Sequence, residues 1–165
     1  MTWTPNPPPQ DQCFQTLDKT LSLGGNFWNA GELYGTPEYN SLHLLNAYFT
    51  RNPHQADKVV LSIKGGLLPG QLVPDGSEAN IRRSVDESLR VLDGKKRIDI
   101  FECARQDPNT SIEQTVTVLG ELVKEGKIGG IGLSEVDAET VRRAYVTFFL
   151  PPSRYYVLNV TMLTR

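Results

Sequence analysis

Hydrophobic residues recur along the chain in two alternating rhythms. Phe14, Leu17 and Leu21 stand at helical spacing, and Gly24-Gly25 closes that segment. A short strand is predicted over residues 26–29. Leu42, Leu45 and Phe49 mark a second helix, and residues 59–63 form an apolar, β-branched run of the kind buried on both faces of a sheet. Ile81, Val85, Leu89 and Leu92 make a third helical stripe, followed by a strand over residues 98–103. Thr110-Ser111-Ile112-Glu113 reads as a capping box, opening a helix through Val116, Leu119, Leu122 and Val123 that stops at Gly126. A strand over residues 128–133, a helix over 137–148 and a strand over 155–160 complete the pattern. Ahead of it all, residues 3–9 hold four prolines, which excludes a helix or a central strand there.

Five strands alternate strictly with five helices, and no hairpin signal interrupts them. Such alternation means βαβ units and a parallel sheet. An open doubly wound sheet would carry a glycine-rich phosphate turn between its first strand and helix. The nearest match, Gly129-Gly130-x-Gly132, precedes and enters a strand instead, so it is not a dinucleotide fingerprint. The alternative is a (β/α)8 TIM barrel, which takes roughly 250 residues and puts its chemistry at the C-terminal ends of its strands. The chain's 165 residues hold a little over half of one. The expected fold is therefore α/β: a partial barrel.

Composition narrows the function classes. With 39% hydrophobic and 22% charged residues, the chain can bury a core. Seventeen basic against 19 acidic residues give a net charge of −2, which argues against a nucleic-acid surface. No apolar run approaches the roughly 20 residues of a membrane span. The opening residues lack the basic and apolar regions of a secretory leader. Cys13 and Cys103 are expected to be free thiols, and neither they nor His43 and His54 belong to a metal-ligand motif. The chain reads as soluble and cytoplasmic.

The informative polar residues fall at the predicted strand ends: Asn29 to Gly35 after the first, Lys64 after the second, Glu102 to Arg105 at the third, Ser134-Glu135 after the fourth. A tyrosine and a lysine brought to one barrel mouth can work as a proton donor and its activator. An ammonium within about 4–6 Å of a phenol favours phenolate and lowers a pKa that starts near 10.

At these residues the sequence resembles the aldo/keto reductase superfamily. The family's aspartate-threonine-alanine-x-x-tyrosine-glycine pattern stands here as Asn29-Ala30-Gly31-Glu32-Leu33-Tyr34-Gly35, and its lysine as Lys64 in KVVLSIKGG. The segment from IDIFECARQDPNTSIEQ through GKIGGIGLSEVDAETVRRA is most similar to the fungal pyridoxal reductase branch. The resemblance implies one domain over residues 1–165, incomplete at both ends and covering about strands two to six of the family barrel. It implies NADPH-dependent reduction of a small carbonyl substrate, an aldehyde such as pyridoxal, with Tyr34 as proton donor and Lys64 as its partner. Asn29 replaces the aspartate that usually pairs with that lysine. Ala104 replaces a histidine that orients the carbonyl, and with Trp28 it is placed at the substrate pocket. Ser134 matches the serine that binds the nicotinamide carboxamide, and Glu135 replaces the commoner asparagine beside it. Val157 falls near a position that often carries a carboxamide or carboxylate.

Plainer roles stand beside these. Asn29 and Glu32 suit a turn, Ser134 suits a helix cap, and Glu102 suits either the barrel mouth or a structural ion pair. The competing functional class is a non-catalytic, truncated or degenerate barrel fragment, or a binding or regulatory subunit.

Overall fold

The first helix begins where the prolines end. Pro9 stands at its N-cap, and α1 runs Gln10–Ser22, burying Cys13, Phe14 and Leu17. The computed structural model describes residue 2, residues 6–149 and residues 157–160, with the side chains of residues 149 and 157–160 left out. Along it follow β1 (Phe27–Gly31), α2 (Ser41–Arg51), a 3-10 turn (Pro53–Lys58), β2 (Val60–Gly65) and α3 (Glu78–Leu92). Then come β3 (Ile100–Cys103), α4 (Ile112–Lys124), β4 (Ile131–Ser134), α5 (Ala138–Phe149) and β5 (Val157–Val160). The strands form one sheet in the order β1-β2-β3-β4-β5, and every neighbouring pair is parallel. This is the partial-barrel architecture that strict alternation predicts.

Local details differ from the sequence reading in instructive ways. The capping box of α4 sits one residue later than expected: Ser111 is the N-cap and Gln114 completes the box. Glu113 is instead free to pair with Arg143 of α5. The third and fourth strands start later than their apolar runs do, because Ile98 and Ile128 meet only in an isolated parallel bridge. Asp137, not Ser134, receives the N–H of Thr140 at the start of α5. The expected strand start at residues 155–156 lies outside the described residues.

Side chains alternate across the sheet, as the strand period requires. One set faces the helices: Trp28 and Ala30, Leu61 and Ile63, Phe101 and Cys103, Ile131 and Leu133 are all buried there with Phe49, Ile81, Val85, Leu119 and Leu122. Full burial of each large apolar side chain contributes about 1.5–3 kcal/mol, so this layer holds the strands in place. The other set faces what would be the barrel interior, and parallel register stacks it in layers. Asn29 is level with Ser62, and Ser62 with Ile100; Gly31, Lys64, Glu102 and Gly132 form the next level. Phe27 and Val60, also level, are exposed on this side.

Candidate active site

The loop that carries Tyr34 is fastened at several points. Ser41 Oγ accepts the Gly31 N–H and donates to the Gly31 carbonyl, each at 2.9 Å. The Ser41 N–H donates to the Tyr34 carbonyl, which also accepts the Thr2 hydroxyl. Asn40 caps α2 and donates its amide to the Glu32 carbonyl, while His43 Nδ1 accepts the Asn40 N–H. Glu32 itself is bound by Ser84 Oγ at 2.7 Å and by Arg83, both from α3. Glu32 thus ties the loop to α3, beyond α2 and β2 in the chain, a tertiary anchor and not the local turn cap that its position suggests.

Tyr34 is half-buried and shares a cavity of about 410 Å³ with Trp28, Asn29, Ala30 and Leu44. Gly31 lets the tyrosine and lysine segments approach. A Cβ there would stand 2.8 Å from the Lys64 carbonyl oxygen and 3.5 Å from the Tyr34 ring. Any side chain at 31 would force the two apart.

Lys64 reaches over the inner face to Glu102, with Nζ 3.5 Å from Oε1. Asn29 Nδ2 donates to Glu102 Oε2 at 3.0 Å, and Ser62 Oγ donates to the same oxygen at 3.3 Å. Glu102 is almost wholly buried, at 1% exposure, and its Oε1 accepts no hydrogen bond among the described residues. Gly132 of β4 lies directly opposite. A Cβ on Gly132 would come within 2.9 Å of Glu102 Cβ, so the missing side chain is what makes room for the carboxylate. On the opposite face of the same strand, burial, and then the Glu102 charge, push the Cys103 thiol up to about 12. That thiol is not a nucleophile near neutral pH.

At the end of β4, Ser134 is buried and its Oγ has no partner among the described residues. A buried hydroxyl without a partner is uncommon in a native structure and calls for an explanation. Glu135 follows in left-handed backbone, φ 54°, and pairs with Arg105 at 2.5 Å. Ala104 is buried and donates its N–H to the Gly65 carbonyl at 2.9 Å. It joins β2 to β3 through backbone and brings no polar side chain.

Lys64, Ala104 and Ser134 therefore lie at the C-terminal ends of three adjacent strands, with Asn29 one level deeper on β1 and Tyr34 on the loop after it. Trp28 stands apart from them. Its ring is on the helix-facing side, stacked on Phe49 at 5.9 Å and donating Nε1–H to the Gly25 carbonyl at 2.7 Å. It borders the Tyr34 cavity from within the core and does not share a face with Lys64. Glu102 and Arg105, both within the polar cluster that the sequence marks at the third strand's end, gain partners in the structure, and Gly132 joins them. The signal for Gly132 was a glycine at the point of the next strand that matches a charged residue within an apolar buried one. Among the described residues no group of three or more acidic, histidine or cysteine side chains is placed to hold a metal. No described helix is long and apolar enough to cross a membrane.

The sequence profile of the aldo/keto reductase family matches residues 1–164. The chain is 44% identical over 145 residues to the probable pyridoxal reductase 2 of Schizosaccharomyces pombe, covering 87% of this chain and 44% of that protein. It is 35% identical over 153 residues to the putative pyridoxal reductase of Saccharomyces cerevisiae, covering 86% of this chain and again 44% of the relative. The chain thus spans less than half the length of these relatives. Among solved structures, the glycerol dehydrogenase AKR11B4 from Gluconobacter oxydans superposes with a TM-score of 0.74 over 88% of this chain and 45% of that one, at 24% identity. That likeness is one of fold.

Proposed function

Because the chain belongs to the aldo/keto reductase family, we propose that it carries the polar machinery for reducing a small aldehyde, of the pyridoxal type, with NADPH. One observation supports this most: Asn29, Lys64, Glu102 and Ser134 converge on one end of a parallel sheet, beside the anchored Tyr34 loop. The choice of pyridoxal rests on the names of the two fungal relatives.

NADPH, when bound, supplies the hydride. Ser134, buried and with no hydroxyl partner among the described residues, fits the carboxamide of its nicotinamide ring, and Glu135 borders the same place. Tyr34 donates the proton to the substrate oxygen as negative charge develops there. Lys64 supplies positive charge on the same face of the site as that proton transfer. Ala104 brings no polar side chain to the carbonyl, so its orientation falls to the other site residues.

Fluorescence titration with NADPH and an absorbance assay with pyridoxal test the reading directly. Tyr34→Phe is expected to lower turnover by about 10²–10⁴-fold, the usual worth of general acid help, with NADPH affinity unchanged. Turnover that survives this substitution would remove Tyr34 from the chemistry. No NADPH binding by the folded chain would sink the reductase reading and favour a non-catalytic role.

A further inference from the structure

Asn29 leaves the β1 side of Lys64 without a carboxylate, yet the lysine has a counter-charge on its other side. We propose that Glu102 is the positioning residue for Lys64: the negative charge that holds the ammonium in the site comes from β3, and Asn29 is the amide that makes this exchange possible. The proposal deepens the reductase reading and depends on it for its catalytic meaning. The charge pairing itself stands on contacts within this chain.

Four observations carry it. A carboxylate at 1% exposure in a strand whose neighbours are apolar is costly unless cations and donors meet it. Donors do meet it, from β1 and from the lysine's own strand β2: Asn29 Nδ2 at 3.0 Å, Ser62 Oγ at 3.3 Å and the Lys64 ammonium at 3.5 Å. An aspartate at 29 would turn the first of these donors into a second negative charge, so Asn29 and Glu102 are chemically matched. Finally, Gly132 provides the volume, since a Cβ would collide with Glu102 Cβ, Cα and Cγ. The charged and titratable groups around Glu102 are few among the described residues. Lys64 faces it from β2, β1 offers neutral Asn29, β4 offers Gly132, and Cys103 points to the opposite face.

Ser62 and Asn29 both bond Oε2, which fixes the carboxylate plane and leaves Oε1 for the ammonium. The ion pair, at 3.5 Å, is longer than the two hydrogen bonds to Oε2, so Glu102 holds the Lys64 ammonium mainly through charge.

Reductive methylation of the full chain, with formaldehyde and a borane reductant, reads the state of the Lys64 amine by mass spectrometry of its peptide. A side chain released from the buried carboxylate that tethers it reacts more readily. Glu102→Gln is therefore expected to raise the Lys64 rate by about tenfold, while exposed Lys58 and Lys124 keep theirs. Asn29→Asp/Glu102→Gln, which moves the carboxylate to β1, is expected to restore the wild-type rate. An unchanged rate in Glu102→Gln, or a raised rate that persists in the double variant, overturns the proposal. If Glu102→Gln alone fails to fold, the double variant decides. A folded chain with wild-type Lys64 reactivity upholds the assignment, and an unfolded one refutes it. Pyridoxal turnover is measured alongside. Its absence from the wild-type chain would count against the reductase reading only and leave the Lys64 result standing.

Discussion

Two carboxylates, half-buried Asp99 and buried Glu102, sit three residues apart along the β3 segment, and they are treated differently. Asp99, just before the strand, accepts the Leu61 N–H at 2.8 Å, the Lys96 ammonium at 2.7 Å and Arg97 Nε at 2.6 Å. Glu102, inside the strand, has longer contacts, and one oxygen receives no hydrogen bond among the described residues. Near it lie a buried hydroxyl without a described partner and a glutamate in left-handed backbone. Satisfied polar groups at the N-terminal end and incompletely satisfied ones at the C-terminal end are the division that barrel enzymes make between stability and chemistry. A group already saturated by the protein has nothing left to offer a ligand.

The largest effect of a single change is expected at the saturated end. Asp99→Asn removes the charge opposite Lys96, whose side chain is only 4% exposed, and is expected to cost about 3 kcal/mol in urea denaturation. The pH dependence follows from the same contacts. Burial pushes the Asp99 carboxyl up, but the Lys96 hydrogen bond, the Leu61 N–H and the two cations outweigh it and hold it below the usual carboxylate range. A depressed folded value means the stabilisation is complete above the unfolded pKa of about 3.9 and is lost as pH falls through the folded one. Wild type should therefore lose more stability than Asp99→Asn between about pH 5 and pH 1. Parallel losses in the two chains would show that Asp99 is not the staple inferred from its contacts.

The second comparison tests the other carboxylate. Asn29→Asp alone restores the residue commoner in the family, yet it replaces a donor at 3.0 Å from Glu102 with a like charge. A loss of about 2 kcal/mol is expected near neutral pH, shrinking as pH is lowered and one carboxylate takes up a proton. A neutral or stabilising result would mean that the two side chains move apart at little cost, and that the Asn29–Glu102 match is incidental.

The difference between these ends also explains what the sequence made legible. Strand and helix order followed from periodicity, because Leu61, Phe101 and Ile131 each pack against helices and leave a regular apolar trace. Tyr34, Lys64 and Ser134 stood out because polar residues at strand ends break that trace. Glu102 was visible as an anomaly, but its partner depended on register: only the level pairing of Lys64 with Glu102 and of Glu102 with Gly132 brings lysine, carboxylate and empty space together. Trp28 was placed at the substrate pocket through resemblance; strand parity puts its ring on the helix-facing side, from which it borders the Tyr34 cavity. The α4 cap slipped by one residue because two hydroxyls, Thr110 and Ser111, stand side by side, and Thr110 is already engaged with Asp107.

The smallest expected effect concerns backbone strain at the chemical end. Two residues other than glycine have positive φ, Asp93 at 48° and Glu135 at 54°, among the described residues. Asp93 ends α3 as a left-handed C-cap, where a short polar side chain is well tolerated. Glu135 lacks that excuse: a longer side chain in this region carries a strain of about 1 kcal/mol. Its compensation is the Arg105 pair, but the two side chains are 51% and 30% exposed, so the pair is worth about 0–1 kcal/mol and less in salt. Glu135→Asn keeps a polar residue, suits the left-handed region and loses the pair. A gain of about 0.5 kcal/mol is expected, rising in high salt as the wild-type ion pair weakens. Glu135→Gln keeps the strain and loses the pair, so it should be neutral or slightly destabilising. If Glu135→Asn is instead destabilised as much as Glu135→Gln, the Arg105 contact and not the backbone governs this turn, and the contrast between the two ends of the sheet rests on Glu102 and Ser134 alone.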